Sequence, residues 1–194
     1  METQIGIILL SITLSLLVII LITITLPKII EFSKIKFNKT KYKKLGRSSQ
    51  IRLINQLRET VETLSKNKVG ALITIENNDN IDNLRTDGII LNANISSALL
   101  ITIFNKESLL HDGAVIIRNN KIYYAATFYK ITKKSIDNKY GARHRAAMGI
   151  SELCDATTII VSEETGDVKF VKNGVFFDVS LDQFQEQLIK YLKD

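Results

Sequence analysis

The sequence is poor in the residues that build several common kinds of site. One cysteine, Cys154, in 194 residues excludes an intramolecular disulfide framework. Only two histidines accompany it, His111 and His144, so no ligand set for a structural zinc exists. A single proline, Pro27, excludes proline-rich linkers. No P-loop, no G-x-G-x-x-G and no G-x-S-x-G occurs, which removes the usual nucleotide and esterase fingerprints. A Cys–His nucleophile would have to use Cys154, which follows an apolar helix end without an activating neighbour; a buried, inert thiol is expected. There is no internal repeat, and a hydrophobic fraction of 45% excludes a disordered chain.

Charge is also missing from most of the chain, in the net sense. The total is +6, yet residues 28–47 hold eight of the 26 basic residues and one acid, Glu31. Only Glu2 is charged before them, so residues 48–194 carry 18 basic and 18 acidic side chains. A neutral folded part argues against nucleic-acid binding, which needs a basic patch there.

Residues 5–26 run IGIILLSITLSLLVIILITITL without a charge. As a helix they span about 33 Å, matching a hydrocarbon core of roughly 30 Å. Their hydroxyls can bond backbone carbonyls one turn earlier. A cleaved signal peptide fits poorly: no Lys or Arg precedes the run, and no A-x-A site follows it. The basic cluster then predicts a single-pass protein of the cell membrane with its C-terminal side cytoplasmic, the collar touching anionic lipid. The expected organisation is a transmembrane anchor at 1–27, a basic juxtamembrane linker at 28–47 and one domain at 48–194.

In that domain Ser48 or Ser49 would cap a helix with Ile51, Ile54, Leu57, Val61 and Leu64 on its apolar face, ended by Gly70. Strands are expected at 71–75, 88–91, 114–118, 121–127, 157–162, 167–171 and near 174–179. Helices are expected from Asn94 to about Phe104, from about Arg143 to Leu153, and over 181–192. Asn119-Asn120 suits a tight hairpin turn, and Asp87-Gly88 an ordinary turn. The pattern predicts an α/β (α+β) domain around a mixed β-sheet flanked by helices.

Three segments could carry chemistry. In His111-Asp112-Gly113-Ala114 a carboxylate at a strand edge could ligate a divalent metal or accept a hydroxyl proton. Gly113 and Ala114 lack bulk, so a ligand could approach closely. In Gly141-Ala142-Arg143-His144-Arg145 a glycine leads into a helix whose first turn carries cations, an arrangement that opposes the helix dipole unless an anion compensates. In Ser162-Glu163-Glu164-Thr165-Gly166 a serine could bond phosphate and one glutamate could bind metal. Alone, the first and third segments read as ordinary turns, and the second is equally a solvated face. Phe128 and Tyr129 follow the hairpin strand, where one could stack on a base or both could be core.

Together, HDGAVII, GARHRAAMGISELCDA and IVSEETG, in this order and with Asp112 and Arg143 separated by 31 positions, resemble the diadenylate cyclase (DAC) domain family over about residues 50–190. The single apolar run suggests its single-span membrane branch. The resemblance implies condensation of two ATP into cyclic di-AMP by a homodimer with Mn²⁺ or Mg²⁺. It implies metal at Asp112 and Glu164, with His111 a further ligand, and nucleotide lined by Gly113 and Ala114. Arg143, His144, Arg145 and Ser162, after Gly141, would hold phosphate, with Phe128 or Tyr129 beside adenine. Two positions depart from the family pattern: Ala142 stands where threonine is usual, and Tyr129-Lys130-Ile131-Thr132 replaces Leu-Pro-Leu-Ser. Alternatives are a silent membrane-anchored nucleotide-binding module and a membrane adaptor. A regulatory protein partner is compatible with this reading, and no segment identifies one.

Overall fold

The computed structural model describes residues 2–37, 40–138 and 140–193. The chain falls into two compact units, Met1–Asn38 and Lys39–Asp194.

The first unit is one helix, α1 (Glu2–Phe37), which continues through Pro27. Thr13, Ser15, Thr23 and Thr25 donate their hydroxyls to carbonyls three or four residues earlier, at 2.8–2.9 Å. These bonds let polar side chains sit on an otherwise apolar helix. The apolar side chains described without a break, residues 12–26, cover about 22 Å. Among the described residues no helix is long and apolar enough to cross a membrane. The side chains of the basic collar from Lys28 to Lys39 lie outside the described residues.

The second unit begins with a short helix, α2 (Lys41–Lys44), capped by Thr40, whose side chain accepts from the Lys43 N–H. Tyr42 is buried, its carbonyl accepts from Gln50 Nε2 at 2.8 Å, and Lys41 Nζ lies 2.5 Å from buried Glu76. The end of the expected linker is therefore packed into the domain. Helix α3 (Arg47–Lys66) starts at Gly46, so Ser48 and Ser49 lie inside it and do not cap it. Its buried face is Leu53, Ile54, Leu57, Thr60, Val61 and Leu64, while Ile51 is exposed. Asn94 ends a strand; Ser96 caps α4 (Ser97–Phe104) by accepting from the Leu99 N–H. The remaining helices are α5 (Ala142–Ser151) and α6 (Phe184–Lys193), the latter preceded by a 3-10 turn at Leu181–Gln183.

Eight strands form one mixed sheet: β1 (Ala71–Ile75), β2 (Arg85–Thr86), β3 (Ile89–Asn94), β4 (Ala114–Arg118), β5 (Lys121–Tyr129), β6 (Thr157–Val161), β7 (Val168–Lys172) and β8 (Val175–Val179). The order is β2-β5-β4-β1-β6-β7-β8, with β3 also on β5. Among the described residues only β1 and β4 pair in parallel. Asn119 and Asn120 both take left-handed φ, 50° and 62°, in the two-residue turn between β4 and β5.

Helices cover both faces of this sheet, which explains why β1 and β6 are buried at every position. Alternation divides their side chains. Ala71, Ile73, Ile75, Ile159 and Val161 join a core with residues of α3, α4 and α6. Leu72 and Ile160 join a second core with Ala147 and Ile150 of α5. Thr74 and Thr158 meet within the interior through a hydroxyl pair at 3.3 Å.

Candidate active site

The site lies at one end of the four central strands. Register pairs Ala71 with Val161, Ile73 with Val115, and Ala114 with Thr127. Because β1 and β4 are parallel and their outer neighbours antiparallel, the starts of β1 and β4 meet the ends of β5 and β6. Gly70, Asp112-Gly113, Phe128-Tyr129 and Ser162 therefore arrive at the same edge, although nearly a hundred positions separate the outermost.

Gly113 takes φ +87°, and an added Cβ would lie 2.5 Å from the Thr127 carbonyl oxygen and 3.1 Å from the Ala126 carbonyl carbon. An added Cβ would thus meet the β5 backbone, while Gly113 itself lies on the cavity wall. β5 bulges there: its register against β4 shifts, and Ala126 takes φ 52°. Ala114 is buried in the second core and is not on the cavity wall. Asp112 is exposed on the loop before β4. His111 Nδ1 lies 2.6 Å from the Ser108 carbonyl, which can only accept, so Nδ1 carries the proton. Its Nε2 lies 3.6 Å from the Asp112 carboxylate.

Strand alternation separates the two aromatics. Tyr129 is buried in the second core, and burial raises its phenol above the ordinary range. Phe128 is 46% exposed. The following residues cross α5: Thr132 N–H donates to the Arg145 carbonyl at 3.1 Å, and a Cβ on Gly149 would overlap the Lys130 carbonyl oxygen. That crossing presents Ile131, 60% exposed, beside Phe128 at the cavity.

Helix α5 supplies the positive end. Its N-cap is Gly141, with no side-chain cap bond, which leaves its first N–H groups available to an anion. Arg143 Nη1 donates to Glu163 Oε2 at 2.8 Å, while Arg143 Nε is shut from solvent without a partner. The His144 ring centroid lies 4.9 Å from Tyr140 and 6.0 Å from Phe176. Burial, then the charge of Lys169, lowers its pKa below the ordinary 6.5, so the ring is neutral at pH 7. Arg145 is half-buried and off the cavity wall. Two residues along a helix turn by about 200°, so Arg145 leaves the axis on the side away from Arg143.

The β6–β7 turn completes the site. Ser162 Oγ accepts from the N–H groups of Glu164 and Thr165, and Gly166 takes φ +82°. This places Glu163 and Glu164 at the mouth. Cys154 is buried, with its thiol pushed up to about 11 by that burial, as expected of an inert sulfur.

These elements enclose a cavity of about 310 Å³. Its wall includes nine of the twelve expected residues: Asp112, Gly113, Phe128, Tyr129, Gly141, Arg143, His144, Ser162 and Glu164. Ala114, Arg145 and His111 are not on it. Thr127 and Ile131 also line it, as does Glu163, the other glutamate of the Ser-Glu-Glu segment. Glu163 carried a signal, an acid adjacent to the expected metal ligand; the others depend on the bulge and the crossing, which have no local signature. Among the described residues no three His, Cys, Asp or Glu side chains converge as a metal site. Two exposed carboxylates, Asp112 and Glu164, nevertheless share the wall, and a small divalent cation commonly takes one or two carboxylates plus substrate phosphates. The donor set fits an ion completed by its substrate.

The family model described as DAC, DisA bacterial checkpoint controller nucleotide-binding, matches residues 58–176. The chain belongs to the diadenylate cyclase (DAC) family. It is 42% identical over 148 residues to a diadenylate cyclase of Mycoplasma pneumoniae, covering 75% of this chain and 73% of that one. It is 41% identical over 155 residues to a diadenylate cyclase of Listeria monocytogenes, covering 79% of this chain but 57% of that one. The crystal structure of a double mutant of DacA from Staphylococcus aureus superposes with a TM-score of 0.72 at 38% identity, over 76% of this chain and 99% of that one. The α/β architecture of this DAC domain is thus that of its solved relative. The family match spans all three motifs, from β4 through the β6–β7 turn.

Proposed function

We propose that this chain, a diadenylate cyclase by family, joins two ATP into cyclic di-AMP with release of two pyrophosphates, each cavity holding one ATP. One observation carries the reading: three motifs from separate parts of the sequence line a single cavity that pairs carboxylates with a cationic helix start.

The triphosphate lies on the open N-terminus of α5 and on Arg143, where backbone donors and a guanidinium offset its charge. Ser162 Oγ already accepts two backbone bonds, so its own hydroxyl hydrogen remains to donate to a phosphate oxygen. His144, neutral in its aromatic setting, serves as a hydrogen-bonding group and not as a cation. Phe128 and Ile131 form the apolar flank for the base. Asp112 stands ready to take the proton from a ribose 3′-hydroxyl. The hydroxyl oxygen bonds to the α-phosphorus of the other ATP as the bond to the departing pyrophosphate breaks in line. Asp112 and Glu164 would hold Mn²⁺ or Mg²⁺, with His111 Nε2 oriented toward Asp112. Bound there, such an ion supplies positive charge against the charge developing on the phosphates.

The product contains two equivalent linkages, so two nucleotides must face each other. With one ATP in the cavity of each chain, a two-fold homodimer is the active species. The apolar run at 5–26 and the basic collar after it support anchorage in a membrane, with the cyclase domain on the cytoplasmic side.

The test is the purified chain with ATP and either Mn²⁺ or Mg²⁺, followed by chromatography and mass spectrometry for cyclic di-AMP. A folded dimer that forms none with either metal overturns the proposal. Binding of ATP without release of pyrophosphate would favour a silent nucleotide-binding module.

A further inference from the structure

The Arg143–Glu163 pair sits in an unusual place. Both side chains line the cavity, at the positive end of α5, where an anion would be welcome. Glu163 supplies that anion from within the chain, at 2.8 Å. It is 54% exposed and Arg143 is 25% exposed, so the pair is accessible from the cavity. The space for it is built. A Cβ on Gly70 would lie 2.7 Å from Arg143 Nη1 and 3.0 Å from both Glu163 Cβ and Oε2. The start of β1 is thus pressed against both partners at once. Arg143 Nε, buried and unpartnered, shows that the pair leaves the guanidinium only partly satisfied.

We propose that Glu163 is an intramolecular competitor for the phosphate-binding face of Arg143, holding the guanidinium in place when the cavity is empty and yielding it to a polyphosphate. This rests on the reading that Arg143 binds phosphate. A single carboxylate neutralises one cation, whereas a triphosphate offers several charged oxygens and can also satisfy the α5 N–H groups. The exchange therefore favours highly charged phosphates, and Glu163 reclaims Arg143 when pyrophosphate leaves. The cost of breaking a half-exposed pair is small, so the competitor tunes affinity and does not block entry.

The experiment uses inorganic tripolyphosphate as probe, the full chain, and a chelator to exclude any metal-dependent role of Glu163. Calorimetry gives Kd for wild type, Glu163→Gln, Glu164→Gln, Arg143→Gln and the double variant Arg143→Gln/Glu163→Gln. Glu163→Gln is expected to tighten binding about two- to fivefold, the range of an exposed ion pair. The gain should exceed that of Glu164→Gln, which removes the same charge next door, and should vanish when Arg143 is already Gln. Arg143→Gln alone should weaken binding. If Glu163→Gln leaves Kd unchanged or weakens it while Arg143→Gln weakens it, the competitor is overturned and the phosphate reading stands. Equal gains from both glutamates, or a gain that persists without Arg143, also overturn it as mere long-range repulsion. If Arg143→Gln binds as tightly as wild type, the phosphate reading itself falls.

Discussion

Gly113→Ala probes whether the glycine of the Asp-Gly-Ala motif serves the ligand or the sheet. Gly113 has φ +87°, a region where an L side chain costs about 1–2 kcal/mol. The new Cβ would stand 2.5 Å from the Thr127 carbonyl oxygen and 3.0 Å from its nitrogen. Carbon–oxygen contacts settle at about 3.3–3.6 Å, so roughly 0.8 Å must be found by moving backbone. That backbone is the β5 bulge, where Thr127 is fully buried and its hydroxyl is 3.2 Å from the Thr86 carbonyl. Overpacking of this kind costs about 1–3 kcal/mol. The total is about 2–5 kcal/mol, a large share of the 5–15 kcal/mol typical of a whole domain. For a chain of this size the melting temperature should fall by roughly 5–20 °C. Thermal unfolding followed by circular dichroism, without nucleotide, measures it directly. An unchanged melting temperature together with lost ATP binding would refute this account, because the space would then belong to the ligand.

Asp112→Asn keeps the shape of the loop but removes the proton acceptor; initial rates of cyclic di-AMP formation should fall by about 10²–10⁴. A full rate would contradict the role given to Asp112. If two cavities must face each other, activity per chain at saturating ATP should fall on dilution while ATP binding per chain stays constant, as sedimentation and calorimetry at matched concentrations would show. His144 faces Tyr140, Phe176 and Lys169, the last paired with Asp178 across β7 and β8. Its folded pKa lies below the unfolded 6.5, so its effect on stability is constant above that pH. Below it, stability declines as the unfolded chain takes up the proton first. Lys169→Met should raise the pKa of His144 by NMR titration, and a ring titrating above 6.5 in the wild type would contradict the burial argument.

Much of the domain was legible because the signals were local. β1 and β4 occupy the expected residues, and Asn119-Asn120 forms the expected hairpin turn. Helix starts were less legible. Gly46 and Ser96 take the cap positions because cap choice depends on where the preceding chain can turn, which neighbouring serines and asparagines satisfy equally well on paper. Thr60 escaped the apolar count because its hydroxyl is spent on the Gln56 carbonyl at 2.7 Å, leaving its methyl for the core. The convergence of the site could not be read from order alone. It requires the parallel β1–β4 pair, a contact between residues some forty positions apart.

The small residues at the site share a cause that composition does not display. Gly113 admits the β5 bulge, Gly149 admits the crossing at Lys130, and Gly70 abuts the Arg143–Glu163 pair. At Gly113 and Gly149 backbone presses against backbone at a distance no Cβ allows, whereas at Gly70 the neighbours are the side chains of the ion pair. The cavity is therefore shaped by contacts between elements before any nucleotide enters. Preorganisation of this kind is what charge-stabilising catalysis needs, because donors fixed in advance are not reoriented during the reaction. The exposed apolar part of the wall is Phe128 and Ile131, at the end of β5 and just after it. Variation in base recognition should thus be concentrated there, while substitutions at Gly113 and Gly149 should damage the fold and one at Gly70 should displace the Arg143–Glu163 pair.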